Sequence, residues 1–364
     1  MNIYQSNETI NVILIILTTL YVVLNKNYIF SERVAKSNNG YLLFGIFITI
    51  FSLYYRVGYD FNGHQELLLS YQYGNYYTLH MEDFFYWIWD NVTNDYLAWR
   101  AVVWGLSAIC VVLCFKALKA NCKFASLVFI TFALFECFYY LRNSLAFGTL
   151  YLGIILFTST FPQKKLSPKI LLSILLLMAT AVLHKSAVMY IAFALLAIII
   201  PINKTTVISA ILLFPLIKVS IGDLIINILN NISADESTVA YGEMYLETKS
   251  ALSLNFLGYI GLIINSFPFL LIIAHPIYNK LFKNKKIDFT QKTLLLTSAI
   301  IFYAYYLISG VREDVQSRIW DSAMYPLALF ASVYLFDKRK TRFYRIVVYS
   351  LALMFLYNFF VSII

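Results

Sequence analysis

Apolar runs close to the length that crosses the hydrocarbon of a bilayer recur from one end of this chain to the other, and nothing else in it constrains the fold so strongly. Backbone in hydrocarbon has no water to satisfy its N–H and C=O groups, so each run must close its own hydrogen bonds as a helix. The expected class is an all-α polytopic membrane protein. About 12 transmembrane helices are read, over residues 10–25, 41–55, 99–116, 124–141, 144–160, 170–183, 187–201, 205–220, 253–274, 293–309, 319–336 and 346–363. Composition agrees, because 60% hydrophobic and 13% charged residues in a chain of 364 leave more apolar surface than a soluble domain buries. Residues 1–364 are read as a single transmembrane domain. The first run follows Asn7, Glu8 and Thr9 with no basic segment or small-residue cleavage site, so it is expected to be a retained span rather than a signal peptide.

Charge orients the spans. Alternate connections collect Lys26, Arg33 and Lys36; Lys116, Lys119 and Lys123; Lys164, Lys165 and Lys169; Lys204; Lys280, Lys283, Lys285, Lys286 and Lys292; and Lys338, Arg339, Lys340, Arg342 and Arg345. These are 20 of the 28 Lys and Arg, and only Glu32, Asp288 and Asp337 oppose them on that side. By the positive-inside rule that side is cytoplasmic, and both termini face outward. The net charge of +9 then reports orientation and contact with anionic lipid heads rather than nucleic acid. Cys110, Cys114, Cys122 and Cys137 avoid the long polar loops, so no disulfide framework is implied, and Cys110 and Cys114, which share a helix face, are expected to be small apolar filler rather than a metal site.

Two outward loops are long, residues 56–98 and 221–252. The second opens with Ile221, Leu224, Ile225, Ile228, Leu229 and Ile232 on one helical face, the pattern of an amphipathic helix lying in the membrane interface. Its polar continuation to Lys249 reads either as a mobile cover or as a passive connector.

Candidate chemistry gathers at the outward span ends. Arg56 and Asp60 share a face if helical; they either fix a helix end, or Arg56 binds an anion while Asp60 orients a sugar hydroxyl or accepts its proton. Gly58 and Gly63 would let backbone approach a ligand. Glu82 and Asp83 precede Phe84, Phe85, Tyr86, Trp87 and Trp89, which form an interfacial anchoring belt or a surface for sugar rings, with Glu82 holding hydroxyls or acting as a base. Arg142, at the tight turn before the fifth span, needs a partner beside hydrocarbon: Glu136 in an ion pair, or the phosphates of a substrate. His184, beside Lys185 and Ser186, is a structural histidine or a general base. Arg312, Glu313, Asp314, Arg318 and Asp321 form either an exposed ion-pair network or a clamp in which Arg312 and Arg318 hold a pyrophosphate. The adjacent acids Glu82-Asp83 and Glu313-Asp314 are too common a pattern to mark a metal site, and no metal or other cofactor is expected.

In their order, Arg56-x-Gly58-x-Asp60 after an early span, the acid and aromatics from Glu82 to Phe85, Arg142-x-x-x-Ala146 and His184-x-Ser186-Ala187 make the chain resemble the EpsG-like branch of the Wzy-type bacterial polysaccharide polymerases, which include O-antigen polymerases. Where related chains often carry a tyrosine after the aspartate this one has His64, a minor alternative base. The resemblance implies a metal-independent glycosyltransferase of the bacterial inner membrane whose active site faces the periplasm. Its substrate would be a repeat-unit oligosaccharide on undecaprenyl pyrophosphate, and the growing glycan would pass from its lipid pyrophosphate to a hydroxyl of the next lipid-linked repeat. Arg56, Arg142, Arg312 and Arg318 would bind pyrophosphate, and His184, Asp60 or Glu82 would serve the proton transfer. Membrane lipids and a chain-length regulator of the Wzz type are the partners implied. Three rival readings stand beside it. A flippase or other transporter would place substrate charges nearer mid-membrane; a glycan ligase would share the donor but pass on the finished chain; a membrane acyltransferase would leave the arginines without a purpose.

Overall fold

A computed structural model describes residues 59–74, 81–134, 141–160, 167–184, 187–213, 256–307, 313–339 and 341–363, and every regular element among them is helical. The spans read at 10–25 and 41–55, the amphipathic segment at 221–232 and the rest of the loop to 252 lie outside the described residues. In chain order the helices are α1 (Tyr59–Gln72), α2 (Asp83–Asn91), α3 (Tyr96–Ala117), α4 (Cys122–Phe129), α5 (Leu141–Thr160), α6 (Pro168–Leu183) and α7 (Ala187–Ile199). They continue with α8 (Lys204–Leu213), α9 (Phe256–Lys283), α10 (Phe289–Leu307), α11 (Glu313–Lys338) and α12 (Arg342–Ile363). Among the described residues α3 and α5 are long and apolar enough to cross a membrane.

The outer loop expected at 56–98 is itself folded. Its described residues carry α1 and α2, and a short irregular segment joins α2 to α3. Several expected spans also run longer than their apolar cores: α9 continues to Lys283 through Pro268 and Pro276, and α11 begins at Glu313 rather than at residue 319. The span read at 124–141 starts as α4 and passes into a π-turn at Ile130–Leu134, where Thr131 Oγ1 donates to the carbonyl of Leu127 at 2.8 Å.

Two compact units divide the chain, the first made of residues 1–192 with 328–339 and the second of 193–327 with 340–364. In the first, α5 is the central helix. α6 packs antiparallel on it. Thr180 Oγ1 donates to Thr149 Oγ1 at 3.1 Å, and further along a Cβ added at Gly153 would already touch Ser173 O at 3.2 Å and a Leu177 methyl at 3.3 Å. The missing side chain at Gly153 is what lets the two backbones approach, as small residues do at helix contacts in lipid. On another face of α5, Ser144 Oγ and the Gly148 carbonyl meet Ser107 Oγ at 2.7 Å and Cys114 Sγ at 3.9 Å, so α3 runs parallel to it. Each hydroxyl also bonds within its own helix or across to the next, so the polar groups are satisfied without water.

α6 shows what surrounds the unit. Ser173 and Thr180 are buried, whereas Leu171, Ile174, Leu175, Met178 and Val182 are exposed, Val182 to 65%. A soluble domain buries such side chains, while lipid reverses the sign.

Within the second unit Trp320 of α11 is packed edge-on by Phe269, Phe302 and Tyr305 at centroid distances of 4.9–5.9 Å. Ser298 Oγ of α10 donates to the Ala323 carbonyl at 3.0 Å, and the Tyr357 hydroxyl of α12 lies over Gly261 of α9.

Candidate active site

Three residues far apart in the chain meet in the first unit. Arg142 is the second residue of α5, and His184 is the first residue beyond α6. Because α5 and α6 form an antiparallel hairpin, these two ends lie side by side. His184 has left the helix with φ −161° and ψ 118°, but its N–H still bonds to the Thr180 carbonyl at 3.1 Å and its own carbonyl accepts from Ala187 N at 2.9 Å. The backbone that carries the imidazole is thus fixed on both sides.

Glu82 arrives from elsewhere, at the N-cap of α2. An acid at that position ordinarily turns back onto the first free N–H groups of its helix. Glu82 makes no such bond and instead accepts two from outside, with Arg142 Nη1 on Oε2 and His184 Nδ1 on Oε1, each at 2.8 Å. Its helix is anchored so that it reaches: Trp99 Nε1 of α3 donates to the Phe85 carbonyl at 3.0 Å, and Tyr71 of α1 donates to Asp90 at 2.6 Å while stacking on Tyr86. Glu82, Arg142 and His184 side chains are only 10%, 20% and 17% exposed, which makes these charge-assisted bonds stronger than surface ion pairs.

The electrostatics follow from that burial. Burial pushes the Glu82 carboxyl up, but the hydrogen bond from His184 and the charges of Arg142 and His184 outweigh it, leaving the pKa below its ordinary value. The positive end of α2 acts in the same direction. Glu82 is therefore an ionised, acceptor-only group, so the proton in the bond between them sits on Nδ1 of His184 and Nε2 is the ring nitrogen that Glu82 does not engage. Arg142 sits at a helix N-terminus, where a cation is disfavoured by the helix dipole, and Glu82 offsets that cost.

The partner expected for Arg142 was Glu136 or a substrate phosphate; Glu136 lies outside the described residues, and among the described residues Glu82 pairs with Arg142. Arg56 and Arg312 also lie outside them. Asp60 is the second residue of α1 and Arg318 lies in α11, but the description stops at their backbone. Arg318 belongs to the second unit. His64, the minor alternative base, is buried to 2% in α1 with its ring edge-on to Trp99 at 6.0 Å. One further cation was passed over in the sequence. Arg100 is buried to 2% on α3, donating to the Tyr96 hydroxyl at 3.4 Å, on the same helix face as Ser107. Its signal was an arginine at the mouth of an apolar run, where a charge is expensive. Among the described residues no group of three or more His, Cys, Asp or Glu side chains is placed to hold a metal ion.

Helices that turn leucines outward and keep hydroxyls inward fit a helical membrane protein, and in it one acid holds a cation and an imidazole, all three largely shielded from water. Its family is clear from nearly the whole chain. The model of the EpsG family matches residues 37–364, and the protein belongs to that family. No curated protein and no solved structure matches it.

Proposed function

We propose that this protein polymerises polyprenyl-pyrophosphate-linked oligosaccharide repeats into a surface polysaccharide, on the outer side of the bacterial cytoplasmic membrane. The observation that carries the reading is the convergence of Glu82, Arg142 and His184, which contribute three of the four motifs behind the family resemblance and come together over separations of 60 and 102 residues. Membership in the EpsG family supports it independently.

The chemistry required is transfer of a glycosyl group. A hydroxyl of the incoming repeat attacks the anomeric carbon of the growing glycan, a new C–O bond forms there, and the bond from that carbon to the lipid pyrophosphate breaks. The proton of the hydroxyl goes to Nε2 of His184, and the electron pair leaves with the pyrophosphate. Glu82 is a positioning residue in this scheme, fixing the imidazole's tautomer and angle rather than taking the proton itself. Arg142 supplies fixed positive charge where the leaving diphosphate gathers negative charge. Arg56, Arg312 and Arg318 are proposed as further phosphate ligands, and Asp60 as a group that orients the acceptor hydroxyl.

The test is carried out in a polymerase-null host. Arg142→Ala should leave glycan of a single repeat where the wild-type chain restores a ladder. An undiminished ladder from this variant and from His184→Ala together would remove the assignment.

A further inference from the structure

The helix that delivers Glu82 has a second face. Phe85, Tyr86, Ile88 and Trp89 of α2 are buried against α1 and α3. The opposite face, at helical spacing, consists of Asp83, Phe84, Trp87, Asp90 and Asn91, all exposed except the half-buried Phe84. Trp87 is 55% exposed, and Phe84 stacks near-parallel to it, with an interplanar angle of 17° at 6.4 Å. Asp90 is held by the Tyr71 hydroxyl at 2.6 Å, and Asn91 by a bond from its side-chain amide to the Trp87 carbonyl at 3.0 Å. The result is a broad aromatic surface with fixed oxygen acceptors around its edge, beginning one residue after Glu82.

We infer that this face is a carbohydrate subsite, where Trp87 stacks on the apolar face of a sugar ring and Asp83, Asp90 and Asn91 hydrogen-bond its hydroxyls. The inference rests on the polymerase reading for its biological ligand, a sugar of the lipid-linked repeat next to the one that reacts. Charge complementarity separates this occupant from a membrane surface. Interfacial tryptophans are ordinarily joined by cations that meet anionic lipid heads. Here Trp87 has carboxylates four residues before and three after it, and none of the residues at helical spacing around it is a Lys or Arg. Two carboxylates repel an anionic headgroup but accept from neutral hydroxyls. A sugar offers both an apolar face and a rim of donors, and the α2 surface offers the complement of each.

The experiment titrates full-length protein in nanodiscs with the lipid-free repeat oligosaccharide, released by mild acid from the host's lipid carrier, and reads binding by saturation-transfer NMR and calorimetry. Wild type should bind, Trp87→Phe should keep the affinity within about threefold, and Trp87→Leu should weaken it about tenfold. The leucine variant retains apolar bulk without a ring, so a mere membrane anchor would tolerate it. Equal binding by Trp87→Leu and wild type, no binding by wild type, or loss of Trp87→Leu from the membrane fraction would each overturn the subsite. The polymerase reading fails separately: wild type that binds the oligosaccharide yet makes no polymer from lipid-linked repeats keeps the subsite and loses the reaction.

Discussion

Replacing Glu82 by Gln tests the positioning role most sharply, because it keeps the side chain's size and removes only its charge. In the native site the carboxylate accepts two bonds of 2.8 Å, from Arg142 and His184. Glutamine has one acceptor oxygen and a donor amide, so whichever way it turns one of those N–H donors meets another donor. Each hydrogen bond to a charged group is worth about 1.5–3 kcal/mol, and the partial exposure of Arg142 and His184 lets water recover some of it, so the lower end, about 1.5–2 kcal/mol of stability, is expected. The rate should suffer more. An imidazole no longer fixed by its Nδ1 bond loses much of what a positioned base supplies, so polymerisation should fall about a hundredfold. Glu82→Asp, which keeps the charge on a shorter stem, should fall between the two. Initial rates of polymer formation by purified protein on lipid-linked repeats, alongside thermal melts in detergent, measure both effects. Glu82→Gln with a rate within about twofold of wild type would refute the positioning role.

The same carboxyl sets a pH dependence. Its folded pKa lies below the ordinary 4.5, so its contribution to stability is complete above that pH and is lost as pH falls through the lower folded value. The difference in melting temperature between wild type and Glu82→Gln should hold steady from neutrality down to pH 4.5 and shrink below it. Arg142→Lys should not restore the polymer ladder lost in Arg142→Ala, since an ammonium lacks the planar fork that binds a carboxylate and a phosphate together. Gly153→Leu should separate α5 from α6, because Ser173 O already lies 3.2 Å from where a Cβ would be; a loss of about 1–3 kcal/mol in melts is expected, and Gly153→Ala should lose less. Trp99→Phe removes the bond to the Phe85 carbonyl and should cost about 1–3 kcal/mol while raising amide exchange across α2.

Much of the helical architecture was legible because hydrophobic periodicity is a local signal. The apolar runs at 99–116, 144–160 and 170–183 each fall inside a helix only slightly longer, and charge placement led to Arg142 and His184 being expected on one side of the membrane, at two different turns. What stayed hidden was non-local. Nothing in the stretch around Arg142 says that a partner stands 60 residues earlier. Glu82 was legible as an acid before aromatics, but its role depends on contacts that only tertiary packing makes. The segment 56–98 was read as a loop because α2 has nine residues, too short to span, and α1 carries His64 and Glu66 among its leucines without a clean stripe. Arg100 was lost inside an apolar run, where averaging over the window conceals a single charge.

The central claim is that the imidazole of His184, aligned by Glu82, takes the proton of the attacking hydroxyl. Purified His184→Ala protein incubated with lipid-linked repeats tests it most directly, with the products resolved by chain length against wild type. The account predicts a ladder from wild type and unextended single repeats from the variant, even though the variant still binds the lipid-linked substrate. A ladder of wild-type length and rate from His184→Ala would contradict it.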